Sequence, residues 1–210
     1  IFSEESMKSA MKLSVNNFYT SWIENKGNFT FEMHALPTEA QVAPVYGIVA
    51  NDFNDDGNID IALNGNEYNM SPSLGRYDGF KGMILLGNGK GNFQPMSLSQ
   101  SGIHIEGNGK ALGEIIINNH YSLIGSQNEG SMKLYSLNKN TSSMSAFLPN
   151  DSYGFIHLKN GQKRKIENSV GQSFLTQSSQ HLMINQSVSF IEMIDSKGNH
   201  RNINPNAKTN

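Results

Sequence analysis

Oxygen-bearing side chains fall at every second position in Asp52-Phe-Asn54-Asp-Asp56-Gly57-Asn58-Ile-Asp60, with a glycine in sixth place. That spacing suits a short loop wrapped around a hard cation. Asp52, Asn54 and Asp56 would supply side-chain oxygens, Asn58 its backbone carbonyl, and Asp60 a closing carboxylate, directly or through water. The chain must turn sharply at Gly57, and glycine does so without steric cost. Every donor is oxygen and no His or Cys lies inside the loop, so Ca2+ is the natural occupant. Three carboxylates folded onto one centre repel by ~1 kcal/mol per pair in water and ~4 kcal/mol at an effective dielectric near 20. Without a cation such a loop should be loose. The competing reading is an Asx-rich turn that mimics the motif. Asp55, between the ligand positions, is expected to face solvent.

The flanking residues decide what must hold this loop. An EF-hand needs a bidentate Glu in twelfth place and a helix on either side. The twelfth residue from Asp52 is Leu63, which offers no oxygen. Upstream, Val45-Tyr-Gly-Ile-Val-Ala50 is rich in β-formers; downstream, Ile59, Ile61 and Leu63 alternate with Asp60 and Ala62. A strand–loop–strand clip is expected, not a helix–loop–helix one.

Composition narrows the function classes. With 210 residues the chain can build one large or two small cores. A net charge of −2 with 16% charged residues leaves no basic footprint for nucleic acid and no polybasic tail for membranes. Zero cysteines rule out disulfides and thiolate metal sites. No run approaches the ~20 apolar residues of a membrane span. No basic, then apolar, leader follows Ile1, and the chain reads as a piece of a longer protein. Abundant Asn, Gly and Ser between short apolar runs predict many strands joined by tight turns.

A shift of 62 residues lays the middle of the chain on itself. Trp22-Ile23 falls on Ile84-Leu85, Gly27 on Gly89, Phe31 on Phe93, Asp52 on Glu114, Ile61 on Leu123 and Asn66 on Asn128. Repeats of this length indicate stacked β units, and four short strands per unit make a propeller blade. The second copy has lost the oxygen ligands: Asn54 meets Ile116, Asp56 meets Asn118, Asn58 meets His120 and Asp60 meets Ser122. One metal site is therefore expected, with His120 a turn or surface residue of a vestigial loop. The first copy also carries an insert, Glu67 to Gly79, absent from the second. Its Tyr68, Arg76, Tyr77 and Asp78 form a candidate recognition surface, suited to stacking and hydrogen bonding to a glycan or a protein ligand such as sugars or polar peptides. The alternative is that Arg76 and Asp78 pair locally while the tyrosines pack the loop down.

At the N-terminus, Met7, Ala10, Met11 and Val15 recur at helical spacing, predicting a helix from Glu4 to about Ser14 with a packed methionine stripe. Residues 1–16 are thus a short helix and lead-in, and 17–140 the blades. Asn138 to Ser152 reads as a linker, and 153–205 as a separate β module. Its expected strands are 153–158, 162–166, 173–176, 181–184, 189–194 and 200–203, with turns at Asn160-Gly161 and Lys197-Gly198-Asn199. The fold class expected is all-β. The cluster Lys163, Arg164 and Lys165 reads as a solvated strand edge.

The Asp52–Asp60 loop, with Leu85-Leu-Gly-Asn-Gly-Lys-Gly-Asn-Phe93, resembles the FG-GAP or VCBS repeat, which builds β-propellers in integrin α-chains and bacterial surface proteins. Gly171-Gln-Ser-Phe-Leu-Thr-Gln-Ser-Ser179, with strands ending in Asp195-Ser-Lys-Gly-Asn199, is similar to the ASPIC/UnbV domain that often follows such repeats. The resemblance implies a calcium-stabilised scaffold or ligand-binding part, secreted or on an outer-membrane surface, with calcium on Asp52, Asn54, Asp56, Asn58 and Asp60. A closed propeller needs about four to eight blades, and this chain has two and part of a third, so the remaining blades of a parent chain are implied partners.

No catalytic set stands out. The six histidines are scattered, without the paired spacing of a zinc protease. Gly87-Asn-Gly-Lys-Gly91 lacks phosphate-loop spacing, and no Gly-x-Ser-x-Gly elbow occurs. The chain is not expected to be an enzyme. The alternative is a metal-assisted polysaccharide hydrolase or an accessory subunit of a glycan-uptake system.

Overall fold

The computed structural model describes residues 2–118, 120–137 and 143–205. Backbone contacts divide the chain into two compact units, Ile1–Leu36 and Pro37–Asn210.

The first unit holds one helical turn and one hairpin. Helix α1, Glu4–Met7, starts where the Ser3 hydroxyl accepts the Ser6 N–H, and it buries no residue. The longer helix expected to reach Ser14 does not form: Met11 is 81% exposed, and Met7 and Val15 are also exposed. The methionine stripe is therefore not packed. Helical spacing alone cannot sustain a short helix, because most helical stability comes from burying an apolar face. Strands β1, Ser21–Gly27, and β2, Thr30–Ala35, pair antiparallel around Asn28 and Phe29, both at positive φ. Two left-handed residues in a two-residue loop match the strand twist. The register sets Trp22 opposite His34 and Glu24 opposite Glu32.

The second unit begins with β3 Val45–Asn51, β4 Asp60–Gly65, β5 Met83–Gly87 and β6 Phe93–Pro95, an antiparallel meander in that order. A capped turn of helix, α2 Leu98–Ser101, precedes a three-stranded sheet of β7 Asn108–Ile117, β8 His120–Asn128 and β9 Gly130–Ser136. Then come β10 Ser143–Ala146, β11 Asp151–Leu158, β12 Lys163–Glu167, β13 His181–Ile184, β14 Val188–Asp195 and β15 His200–Ile203. Of these, β12-β11-β14-β15 form one sheet, and β10 pairs with β13. The described residues are predominantly β, and their sheets form no closed propeller.

Two buried clusters hold this unit. Val49, Ala62, Ile84, Ile105, Leu112 and Leu123 pack together with Phe53, which the acidic loop itself contributes. Ile156, Leu158, Leu182, Ile184, Val188, Ile191 and Met193 form the second. Alternation of apolar and polar residues produces both, since a strand puts successive side chains on opposite faces.

Three sequence expectations are corrected. Part of the expected linker is structured: residues 138–142 lie outside the described residues, but Ser143–Ala146 is a strand paired with β13, and β11 starts at Asp151. Ser-rich composition marks a turn only where no partner strand waits. Ser173–Thr176 is a turn rather than a strand, closed by one bridge with Leu175 at φ 46°. The loop expected in the second copy is replaced by strand, since β7 runs to Ile117 and β8 starts at an exposed His120.

Gly87 shows how the meander admits the acidic loop. A Cβ at that position would be driven into the Ile59 backbone carbonyl. Backbone cannot yield as a flexible side-chain tip can. Gly87→Ala is therefore expected to cost at least about 1–3 kcal/mol, read as a lowered urea midpoint at unchanged slope. A neutral effect would contradict this packing.

Candidate metal centre

The acidic loop spans the β3–β4 connection, and backbone amides turned inward set its shape. Asp60 has no exposed surface, and its two carboxylate oxygens accept the N–H of Phe53 and of Gly87, each at 2.8 Å. Asp52, 2% exposed, accepts the Asp56 N–H at 3.1 Å on one oxygen. Its other oxygen takes the Gly57 N–H at 2.9 Å and the Asn185 amide at 2.8 Å. Asn54 Oδ1 accepts the Asp56 N–H at 3.1 Å, its Nδ2 donates to Asp56 Oδ2 at 3.1 Å, and Asp56 Oδ1 accepts the Asn58 N–H at 2.7 Å. Gly57, at φ 89°, makes the sharp turn that its position required. Asp55 is exposed at φ 63°.

All five expected ligand residues thus lie in one hydrogen-bonded turn system. Asp52 and Asp60 are on its buried side, and Asn54 and Asp56 on its exposed side. Asn54, Asp56 and Asn58 line an open cleft of about 360 Å³ with Asn88, Asn92 and Gln94. The carboxylates of Asp52, Asp56 and Asp60 do not draw together to within 4.8 Å of one another, the spacing at which three groups could share an ion.

Burial pushes the Asp60 carboxyl up, opposed by the amides of Gly87 and Phe53, with the charges of Asp56 and Asp52 adding to the rise. A positive charge stands on the other side. Arg164, on β12, is pushed down by burial and held up by the charges of Asp52 and Asp60. Its Nη1 lies 3.4 Å from the Gly57 carbonyl. The expectation of a solvated edge holds for Lys163 and Lys165, which are exposed, but not for Arg164, whose Nε is buried. Strand alternation turns it inward.

Glu114, the counterpart of Asp52 under the 62-residue shift, has taken a different role. It is half-buried on β7, where Tyr121 donates to it at 2.5 Å and Asn51 at 2.6 Å. Burial raises its carboxyl, and the two donors counter the rise.

The insert is organised by its own side chains. Glu67 and Tyr77 exchange backbone hydrogen bonds, Arg76 Nε lies 3.4 Å from Asp78 Oδ2, and the Arg76 guanidinium sits over the Tyr68 ring at 4.7 Å. Tyr68, Arg76 and Asp78 are thereby brought together, while Tyr77 keeps about half its surface open. At the root of the insert, Tyr46 donates to Glu67 at 2.7 Å, the Asn69 N–H at 2.7 Å and Lys110 at 3.0 Å. Those donors hold the Glu67 carboxyl down to about 2. Sequence reasoning missed this node, because Tyr46, Glu67 and Lys110 are far apart in the chain.

It also missed a cluster in the first unit. Glu24, Glu32 and His34 form the one group among the described residues whose ligand atoms lie within 4.8 Å of one another. Only the alternation of Glu32 with His34 was a local signal; the pairing of Glu24 with Glu32 is set by the hairpin register. Lys26 already bridges Glu24 at 3.0 Å and Glu32 at 3.2 Å, and His34 lies 3.0 Å from Glu24.

The Glu67 node predicts an acid dependence. Its folded pKa lies below the unfolded value, so its contribution to stability is present above about pH 4.3 and is lost as pH falls towards about 2. Thermal unfolding of wild type and Glu67→Gln should differ at pH 5 and converge near pH 2. Curves that stay parallel would contradict the assignment. Comparison with protein-family models, with curated proteins and with solved structures returned no match.

Proposed function

We propose that this chain is a calcium-binding scaffold or ligand-binding part of a secreted or surface-attached repeat protein, with the ion in a structural role. The supporting observation is the Asp52–Asp60 loop: alternating oxygen side chains, a left-handed glycine in sixth place, and a strand on each side. The donor chemistry fits a hard cation, because every candidate ligand is an oxygen and carboxylate oxygens bonded to an amide retain lone pairs. Asp52, Asn54, Asp56 and Asp60 would hold the ion through side chains and Asn58 through its carbonyl. Asp56, on the exposed side, has to move inward to complete the set.

In this reading calcium offsets the mutual repulsion of the carboxylates and pins the connection between β3 and β4. The Glu67–Gly79 insert follows β4 directly, so fixing β4 steadies the surface that carries Tyr68, Arg76, Tyr77 and Asp78. That surface is the proposed contact for a glycan or protein ligand, and its Arg–Tyr stack suits either. The FG-GAP/VCBS and ASPIC/UnbV resemblance supports an extracellular or outer-membrane setting and neighbouring blades from a parent chain. No helix among the described residues is long and apolar enough to cross a membrane.

The affinity expected is that of extracellular modules, with Kd about 0.1–1 mM. Calcium at ten times Kd should then stabilise the protein by about 1.4 kcal/mol, a rise in Tm of roughly 3–6 °C for a chain of this size. Asp56→Ala should abolish that rise and lower Tm more in calcium than in chelator, where it loses only its bonds to Asn54 and Asn58. An unchanged wild-type Tm on adding calcium, or an equal Asp56→Ala loss in chelator, would contradict the reading.

A further inference from the structure

The buried side of the acidic loop is closed by residues that come from much later in the chain. Asn185, itself buried, donates to Asp52 at 2.8 Å, and its own Oδ1 is fixed by the Ser187 N–H at 3.0 Å. Arg164 reaches the Gly57 carbonyl at 3.4 Å while its Nε is buried with no hydrogen-bond partner. Leu158 packs so close that a Cβ on Gly57 would lie 3.3 Å from its Cδ1. The β11–β12 sheet therefore seats a guanidinium against the turn that carries Asp52 and Asp60.

A half-buried guanidinium whose Nε has no acceptor is costly unless opposite charge lies near it. Here that charge is the carboxylates of the loop. We propose that Arg164, delivered by the C-terminal sheet, is the resident counter-cation of the Asp52–Asp60 loop and lowers the loop's affinity for a divalent ion. The second half rests on the calcium reading above; the first half does not. Two buried carboxylates and one guanidinium leave a single net negative charge, whereas two bare carboxylates would present the full charge to an incoming ion. By linkage, whatever Arg164 subtracts from ion affinity, the bound ion subtracts from the seating of Arg164.

The test has two arms, both on the intact chain. In EDTA, urea unfolding of wild type, Asp52→Asn, Arg164→Gln and the double variant gives a coupling between the two sites. The stability loss from Arg164→Gln should shrink several-fold when Asp52 is already neutral; additive losses would overturn the counter-cation. Calorimetric titration with CaCl2 at low salt forms the second arm. Arg164→Gln should bind about tenfold tighter than wild type, and Arg164→Lys, which keeps the charge and guards against a folding defect, should stay near wild type. Equal or weaker binding by Arg164→Gln would overturn the effect on affinity. If no variant binds calcium but the EDTA coupling persists, the calcium reading and the affinity effect both fail, and Arg164 stands as the loop's own cation.

Discussion

One carboxylate ties the second unit's meander to its loop. Asp60 opens β4, and its oxygens accept the amide of Phe53 at the loop's entry and of Gly87 at the end of β5. Hydrogen bonds to a buried charge each contribute about 1.5–3 kcal/mol, and here they join three separate segments. Because Phe53 is held by its backbone, its ring is delivered to the core beside Ala62, Ile84 and Tyr121. The acidic loop is thus part of the packing. Its metal chemistry, in the proposed reading, is added to a turn that the backbone already specifies.

Holding negative charge inside the fold requires positive or dipolar partners. Amides of Phe53, Asp56, Gly57 and Gly87 supply the local ones, and Asn185 a distant one, while Arg164 reaches the Gly57 carbonyl and feels the charges of Asp52 and Asp60. The same need is met differently at Glu114. There the strand β7 continues to Ile117, and a tyrosine hydroxyl and an asparagine amide do the solvating. Asn51, the residue just before the loop, donates to Glu114, so the two acidic positions are joined through a single side chain. Glu67 is a third solution: donors from Tyr46, the Asn69 amide and Lys110 keep it charged, and it closes the base of the insert.

What the sequence disclosed followed the range of the interaction. The oxygen spacing at 52–60, the turn at Asn160-Gly161 and the alternation over 153–158 and 189–194 are local patterns, and the strands and turns lie where they pointed. Arg164 and Asn185 sit 107 and 133 residues from their partners, so nothing near the loop announced them. Lys163, Arg164 and Lys165 look alike as a basic run, yet strand geometry exposes the outer two and turns the middle one inward, with its Nε buried. The N-terminal stripe failed for the opposite reason. Its periodicity was real, but a helix needs a surface to pack against, and Met7, Met11 and Val15 have none. The Glu24, Glu32 and His34 group became visible only once the hairpin register was known.

The central claim is that oxygen atoms of the 52–60 loop enclose a single calcium ion. Crystals grown in millimolar CaCl2, with anomalous data collected at long wavelength, measure this directly. The account predicts one strong anomalous peak between β3 and β4, ringed at about 2.3–2.6 Å by oxygens of Asp52, Asn54, Asp56, Asn58 and Asp60. An ordered loop with no peak there, its carboxylates still bonded to backbone amides and to Asn185, would contradict it.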